Sequence, residues 1–433
     1  MLEFQPIKDL KYEYNADIGL SYASPVRGVW NIVHIGTLVP QAHEIYVCPT
    51  SCLRGVVLTT AEMGAMNRLS TITVGEDNIL EGDMEEALQR GTERIIAELP
   101  ERPRAMLIFT SCVHHFLAVN YQRVYRVLRQ KYPDIDFIDC YMDPIMRRTK
   151  PAIPNLWQQI HRLHKPVNGG RTSQVNYIGN CFAYGPYCDL TQMLLDQGVT
   201  VKQLQNCKDY DDFLEMAASA ANFTFHKTAV MAAKDMELRL GQKWIPMRPG
   251  CSYDEFDEDM AKAAQFLEIT PPAAQEIAEQ RKLTEEAVSA TCELLAGTPV
   301  SVDYTAVDRP LETAQYLLDH GFCVESVFVD VFTESKEVFE RLQQTAPDLK
   351  IYQSLGWNIR RMERTHGEGK LVAIGQKSAY FKNTNHFVNI IENEGMYGYR
   401  GIRRLMELIR EAYLQEKPMR ELVQIKGWGC CGE

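Results

Sequence analysis

The sequence predicts an α/β fold of three Rossmann-like domains, each a parallel sheet flanked by helices, and three observations carry that expectation. Short apolar runs alternate with amphipathic helical stretches along most of the chain, which is the pattern of parallel strands joined by helical crossovers. At 433 residues the chain exceeds what one hydrophobic core organises, so two or three domains are expected. The stretches QMLLDQGVTV (192–201) and QYLLDHGFCV (315–324) share Gln, Leu-Leu-Asp, Gly and Val at the same offsets. Each reads as a helix closed by glycine ahead of a strand. The echo fits either a repeated unit or the grammar common to helix-to-strand joints.

In chain order, the expected strands are AMLIF (105–109), DFIDC (136–140), VNYIG (175–179), NFTF (222–225), VSVDY (300–304), VESVFV (324–329) and LVAIG (371–375). Met84, Ala87, Leu88, Gly91 and Ile95 form an apolar stripe at helical spacing ahead of the first of these. The polar stretch HKPVNGGRTS (164–173) and AGTP (296–299) mark candidate boundaries. The resulting domains span 1–168, 169–296 and 297–394, with the C-terminal helices of 395–433 packing back on the first.

Hydrophobic residues at 45% and charged residues at 24% are globular proportions, neither disordered nor fibrous. A formal charge of −11 argues against a general nucleic-acid or anionic-membrane binder, which needs a basic face to meet phosphate. A basic partner surface or a locally basic pocket remains compatible with it. The start, MLEFQPIKDLKYEYN, lacks the pattern of a secretory signal, and no run approaches the roughly 18 apolar residues of a membrane span. A cytoplasmic protein is expected. Twelve cysteines in a reducing compartment then point to metal ligands or buried small hydrophobes rather than disulfides.

In VCPTSCLRG (47–55), Cys48 and Cys52 flank a proline. Pro49 suits the first turn of a helix running on through LRGVVLTTAEMGAM, with Cys48 at its N-terminal edge and Cys52 about one turn on. Free N–H groups and the helix dipole favour a thiolate there, or the negative charge of an iron–sulfur cluster. A lone C-x-x-x-C is equally compatible with two buried thiols. Cys112, in IFTSCVHHF (108–116), follows a strand at the C-terminal edge of a sheet, where open α/β sheets bind ligands. Three thiolates fall short of zinc's four ligands but suit a cluster on a subunit boundary that is completed by a partner.

The order RGVWNIVHIGTLVPQAHEIYVCPTSC (27–52), TVGEDNILEGDMEEALQRGTERIIAELP (73–100) and LIFTSCVHH (107–115) resembles nitrogenase component 1. In that family a GVVW-like segment leads to a glycine-proline-x-x-cysteine turn, an acidic segment ending in proline follows, and a strand then ends in a cysteine ligand. Gly28, Val29 and Trp30 fall on the GVVW segment, Cys52 on the turn cysteine and Cys112 on the cysteine after the strand. The family's remaining bridging-cluster cysteine precedes the GVVW segment. This chain has YASPVRG (22–28) there, with no cysteine, and Cys48 is the candidate replacement.

The resemblance implies an iron–sulfur cluster, 4Fe–4S or larger and P-cluster-like, held by Cys48, Cys52 and Cys112 at a subunit interface. It implies two partners: a homologous component 1-type subunit, in a heterotetramer or homodimer, and an ATP-dependent iron–sulfur reductase homodimer as electron donor. No convincing nucleotide loop of the G-x-x-x-x-G-K-S/T or G-x-G-x-x-G type stands in the chain, so ATP falls to that donor. No nucleic acid or membrane is expected as a partner.

In nitrogenase proper the catalytic cofactor hangs from a cysteine after a second-domain strand and a histidine in the C-terminal third. Here NFTFHKTA (222–229) puts His226 or Lys227 at the first place. NHFVNIIENEGMYGYRG (385–401) puts Asn389 near the second, with His386 close by. The resemblance therefore implies that the molybdenum cofactor is not carried in the usual manner. A second iron–sulfur metallocofactor stays open, with Cys181, Cys188, His226 and the tail pair Cys430 and Cys431 as further donors.

Buried thiols are the other reading of Cys140, Cys181 and Cys188, and an exposed redox pair that of the tail. His114 and His115 read as structural residues or as partners of a cluster sulfur. Arg147, Arg148 and Lys150 form either a local basic patch or a solvated helix end. No catalytic residue is assigned. Three functions stand: an electron-accepting reductase subunit, a scaffold for metallocofactor assembly, and the non-catalytic partner subunit of a heteromer.

Overall fold

The computed structural model describes residues 4–12, 22, 24, 26, 29–142, 151–167, 172–330, 332, 334–365 and 367–423. Gly28, Arg147, Arg148, Lys150, Cys430 and Cys431 lie outside the described residues. The strands, in chain order, are β1 (Gln5–Pro6), β2 (Ala42–Cys48), β3 (Leu69–Thr73), β4 (Ala105–Ser111), β5 (Asp136–Met142), β6 (Gln174–Tyr177), β7 (Thr200–Gln203), β8 (Ala221–Thr224), β9 (Lys243–Pro246), β10 (Val300–Asp303), β11 (Val324–Val329), β12 (Lys350–Gln353), β13 (Val372–Ile374) and β14 (Phe387–Val388). They form three sheets, ordered β3-β2-β4-β5, β7-β6-β8-β9 and β1-β12-β11-β10-β13-β14. Every pairing is parallel except that of the short β1 with β12. The expected class, parallel sheets flanked by helices, is therefore the observed one.

The strand order reverses once in each sheet: between β2 and β4, between β6 and β8, and between β10 and β13. At such a switch point the connections leave the C-terminal ends of two neighbouring strands in opposite directions, so a crevice opens above them.

All seven residues of β2 and all seven of β4 are buried, as befits parallel strands covered on both faces. On one face Ile45, Val47, Met106, Ile108 and Phe137 pack under Leu88, Val124 and Leu128 of the covering helices. The expected stripe lies on helix Met84–Glu98, where the buried line runs Met84, Leu88, Thr92, Ile96 and leaves Ile95 at its margin. A four-residue step drifts around a helix of 3.6 residues per turn, which moves the stripe by one position at its far end.

The chain divides into two compact units. One comprises 30–181 with 198–247 and holds the first two sheets. Within it, Tyr210 donates to Asp136 at 2.8 Å, and Arg104 forms an ion pair with Asp211 at 2.7 Å. The other comprises 1–29, 182–197 and 248–433 and holds the six-stranded sheet. Both echo segments close a helix with glycine ahead of a strand: Asp189–Asp196 before β7, and Pro310–Asp319 before β11.

Candidate functional site

At the first crevice, β2 ends on Cys48, whose thiol is fully buried. Pro49 has a helix-compatible φ of −58° but an extended ψ of 150°, so it stands just outside the helix, which runs Thr50–Glu62. Cys52 is the third helical residue and exposed; its N–H donates to the Pro49 carbonyl at 2.9 Å. Across the switch point β4 ends at Ser111, and Cys112, half-buried, is the first residue of the helix Cys112–Phe116. All three predicted thiols therefore stand on helix starts or strand ends at one sheet edge.

Electrostatics tie the three together. Burial pushes the Cys48 thiol up to about 12, and negative charge on Cys52 and then Cys112 pushes it the same way. Among the described residues no three His, Cys, Asp or Glu side chains converge as a single metal ion requires. A multi-iron cluster takes each thiolate on a different iron, so a donor set too widely spaced for one ion still suits it. The set is all sulfur, as such a cluster prefers. On the helices that carry Cys52 and Cys112, and just after the second, Leu58, Phe116 and Leu117 are 42%, 68% and 43% exposed. Large apolar side chains left in water on those elements mark a surface suited to cover by another protein.

Beneath the thiols, the same face of β2 carries a feature absent from the sequence reading. Glu44 is buried, and the Tyr46 hydroxyl donates to its Oε2 at 2.7 Å. Its Oε1 has no hydrogen-bond partner. Burial pushes the carboxyl up to about 8, against the pull of the Tyr46 hydrogen bond and the charge of Arg68. The Arg68 guanidinium itself donates to the carbonyls of Thr37, Val39 and Ala42. The Tyr46 ring stacks on Phe109 with centroids 4.5 Å apart.

The remaining predicted donors are dispersed. His114 is buried with Nδ1 3.3 Å from the Ser111 hydroxyl, and burial lowers its imidazole to about 4; His115 is exposed. Cys140 lies in the body of β5 opposite Phe109, its thiol raised well above the ordinary range by burial. Cys181 is buried in the loop after β6, and His226 is half-buried just after β8, so both stand at the second crevice. Their loops approach closely: a Cβ on Gly179, whose φ is +76°, would lie 2.1 Å from the Ala229 Cβ. Cys188 is buried at the start of the helix Asp189–Asp196, and burial pushes its thiol up to about 12.

Asn389 directly follows β14 and accepts from the Gln376 amide at 2.8 Å. His386 precedes that strand, at the opposite edge of the sheet, with Nδ1 2.8 Å from the Ala412 carbonyl.

The third crevice holds a buried polar network that no motif announced. The Asp303 carboxylate accepts from the backbone N–H of Thr305 at 2.6 Å and of Ser378 at 2.9 Å, and from the Thr305 hydroxyl. Lys377 is 3% exposed, donates to the Tyr304 hydroxyl and lies 3.8 Å from Asp330, which in turn accepts from Ser354. Burial lowers the ammonium's pKa, while Asp330 and then Asp303 act to raise it. Lysine is rarely buried unless paired, and here it is. The available signal was the GQK triplet after a predicted strand, which spacing alone does not distinguish from a loop.

A protein-family model described as nitrogenase component 1 type oxidoreductase matches residues 33–414. Among solved structures, one titled nitrogenase Cp1 at pH 6.5 aligns with a TM-score of 0.65 at 14% identity, over 94% of this chain and 95% of its own. A second, nitrogenase Cp1 at pH 5, aligns with a TM-score of 0.59 at 12% identity, over 91% of each chain. At such identities the structural likeness speaks for the fold. No curated protein matches the sequence.

Proposed function

The chain belongs to the nitrogenase component 1 type oxidoreductases, and from that premise we propose that it is the iron–sulfur cluster-bearing subunit of an ATP-dependent reductase. It takes low-potential electrons from a separate iron–sulfur ATPase and passes them toward a small substrate. Iron–sulfur clusters are typical of this family, as is work with such an ATPase. The observation that carries the reading is the meeting of Cys48, Cys52 and Cys112 at one topological switch point, with one thiol sealed inward and two reaching the surface.

A thiolate-held cluster supplies one-electron storage at low potential. The chain's own contribution is placement. Cys48 would hold the inner side from the rigid end of β2, while Cys52 and Cys112 would hold the outer side from two helix starts, where the helix dipole offsets negative charge. Each thiol must lose its proton before it binds iron. Burial tightens the hold of Cys48 on its proton, so iron loading releases protons and is favoured at higher pH. The exposed apolar residues beside the outer thiols accommodate a homologous subunit that completes the ligand set.

One observation favours a narrower form of this reading, in which another chain carries the catalytic metal. The third crevice is closed by its own ion pair and hydrogen bonds, and an amide side chain, Asn389, stands at the end of β14 where a metal would need imidazole or thiolate. No helix among the described residues is long and apolar enough to cross a membrane, and we place the reductase in the cytoplasm.

Anaerobic isolation tests the proposal directly. Protein carrying stoichiometric iron and acid-labile sulfide is expected; colourless, iron-free protein would overturn every cluster reading. Cys112→Ala should lose most of the iron with its far-UV circular dichroism unchanged, whereas full iron content would show the ligand to be elsewhere. A homodimer in native mass spectrometry would exclude the form that assigns the catalytic metal to another kind of chain.

A further inference from the structure

The unit that holds the six-stranded sheet contains a cavity of about 330 Å³ with no part in the cluster reading. Met193, Phe256, Met260 and Ile277, from three helices, form an apolar floor. Met193, Phe256 and Met260 are 7%, 1% and 7% exposed, so the floor is well packed from behind. Pro271 and Pro272 wall one side. Proline fixes φ, which makes that wall stiff and the cavity preformed. Its size, and an apolar floor under a polar rim, are those of a small-molecule site, for which about 300 to 1,000 Å³ is usual.

Charge decides which molecule fits. The lining carries four carboxylates, Asp189, Asp196, Asp257 and Glu276, against one basic residue, Arg400. Arg400 is spent on Asp189, with Nε 3.2 Å from its Oδ1, and backbone N–H groups of Tyr399 and Arg400 also favour that carboxylate. Asp257 accepts from the Tyr399 hydroxyl at 3.0 Å and faces Arg281 at 3.4 Å. Among the described residues two carboxylates are left without a cation. Asp196 accepts from the Gln192 amide at 2.7 Å, and Glu276, exposed at the rim, makes neither an ion pair nor a hydrogen bond with them. A surplus of negative charge beside a desolvated apolar floor repels carboxylates and phosphates and attracts a cation with an apolar body.

We propose that this cavity binds a small organic cation, a primary ammonium group on a short alkyl or aryl body. The body lies on Met193, Phe256, Met260 and Ile277, and the ammonium group lies toward Asp196 and Glu276. Met193 and Met260 are unbranched and adaptable, so the floor tolerates several body shapes while the rim selects charge. The site is independent of the cluster and stands whether or not the chain binds iron.

Calorimetric titration of the full chain with hexylammonium, hexanol and hexanoate tests the assignment, since the three share a body and differ in head group. Hexylammonium is expected to bind about tenfold more tightly than hexanol, as two exposed charge contacts allow. Hexanoate is expected to bind more weakly than both. The pair Asp196→Asn and Glu276→Gln should bring hexylammonium down to the hexanol level and leave hexanol unchanged. Ala261→Trp, at an exposed position in the lining, should abolish binding of both. All three positions are exposed, so melting curves near the parent's will show that the variants fold. Hexanoate binding as tightly as hexylammonium would overturn the proposal, as would an ammonium affinity that neither variant changes.

Discussion

The first and third crevices share one topology and use it in opposite ways. At the switch point between β2 and β4 the chain leaves donors without partners: two thiols that reach the surface and, beneath them, a carboxyl with a bare Oε1. At the switch point between β10 and β13 it fills the same position mostly with groups that satisfy one another, Asp303 on two N–H groups and Lys377 between Tyr304 and Asp330, and leaves a single amide oxygen, Gln376 Oε1, bare among the described residues. Buried polar groups without partners are costly, so a protein keeps them where something else completes them. The contrast thus separates an edge built to receive a ligand from one built to hold its sheet.

The strongest way to break this contrast is at Gly375, between β13 and the helix Gln376–Lys382. Its φ of +113° and ψ of 161° fall in a region that only glycine occupies readily. An added Cβ would lie 2.4 Å from Asp303 Oδ2, and Asp303 is pinned by Thr305 and Ser378. Backbone strain and overpacking together predict that Gly375→Ala costs about 4 kcal/mol in chemical denaturation. If the third edge is structural, iron per folded chain should not change. A variant of unaltered stability would mean that the network yields readily, as a ligand site would.

The two edges also differ in how far the sequence revealed them. Cys112 was readable because it follows an apolar run, AMLIF, that extends to Ser111 in the folded chain. Cys48 was expected at the edge of a helix and stands there, one residue before the Pro49 cap, but it also closes β2, a strand that the adjacent polar letters of AHEIYVC conceal. His43 is held there by the Ser70 hydroxyl at 2.8 Å, and Glu44 by Tyr46, so polar residues occupy a strand buried throughout. The third edge was illegible for a related reason. Asp303, Asp330 and Lys377 are far apart in sequence and ordinary in type, and only the parallel register of β10, β11 and β13 brings them together. Charge is read from sequence residue by residue, whereas burial is a property of the assembled sheet.

Glu44 sharpens the comparison, because its Oε1 has no partner among the described residues, whereas both oxygens of Asp303 are bonded. A carboxyl held at about 8 against an ordinary 4.5 keeps its proton in the folded state and loses it when the chain unfolds. Its contribution to stability is therefore fully present below about pH 4.5 and is lost as pH rises to about 8. Glu44→Gln removes that dependence and leaves a buried amide with imperfect partners, which offsets part of the gain. The net expectation is a variant about 2 kcal/mol more stable than the parent at pH 8 and no more stable at pH 5, read from urea midpoints. An equal effect at the two pH values would show that Glu44 has a partner after all.

Cys140 offers the smallest effect and the narrowest test of where the ligand edge ends. It pairs in register with Phe109, two residues short of the end of β5 and one strand away from the switch point. Its thiol is fully buried and protonated, and after burial itself the charge of Asp139 opposes the thiolate that iron needs. Replacing it by alanine removes one sulfur from a packed core, a loss of about 1 kcal/mol. Iron content should stay at the parent level, in contrast to Cys112→Ala, which has the same chemistry changed at the crevice itself. If Cys140→Ala also emptied the protein of iron, the donor set would have to extend down the sheet into β5, and position at the switch point would no longer distinguish a ligand thiol from a core one.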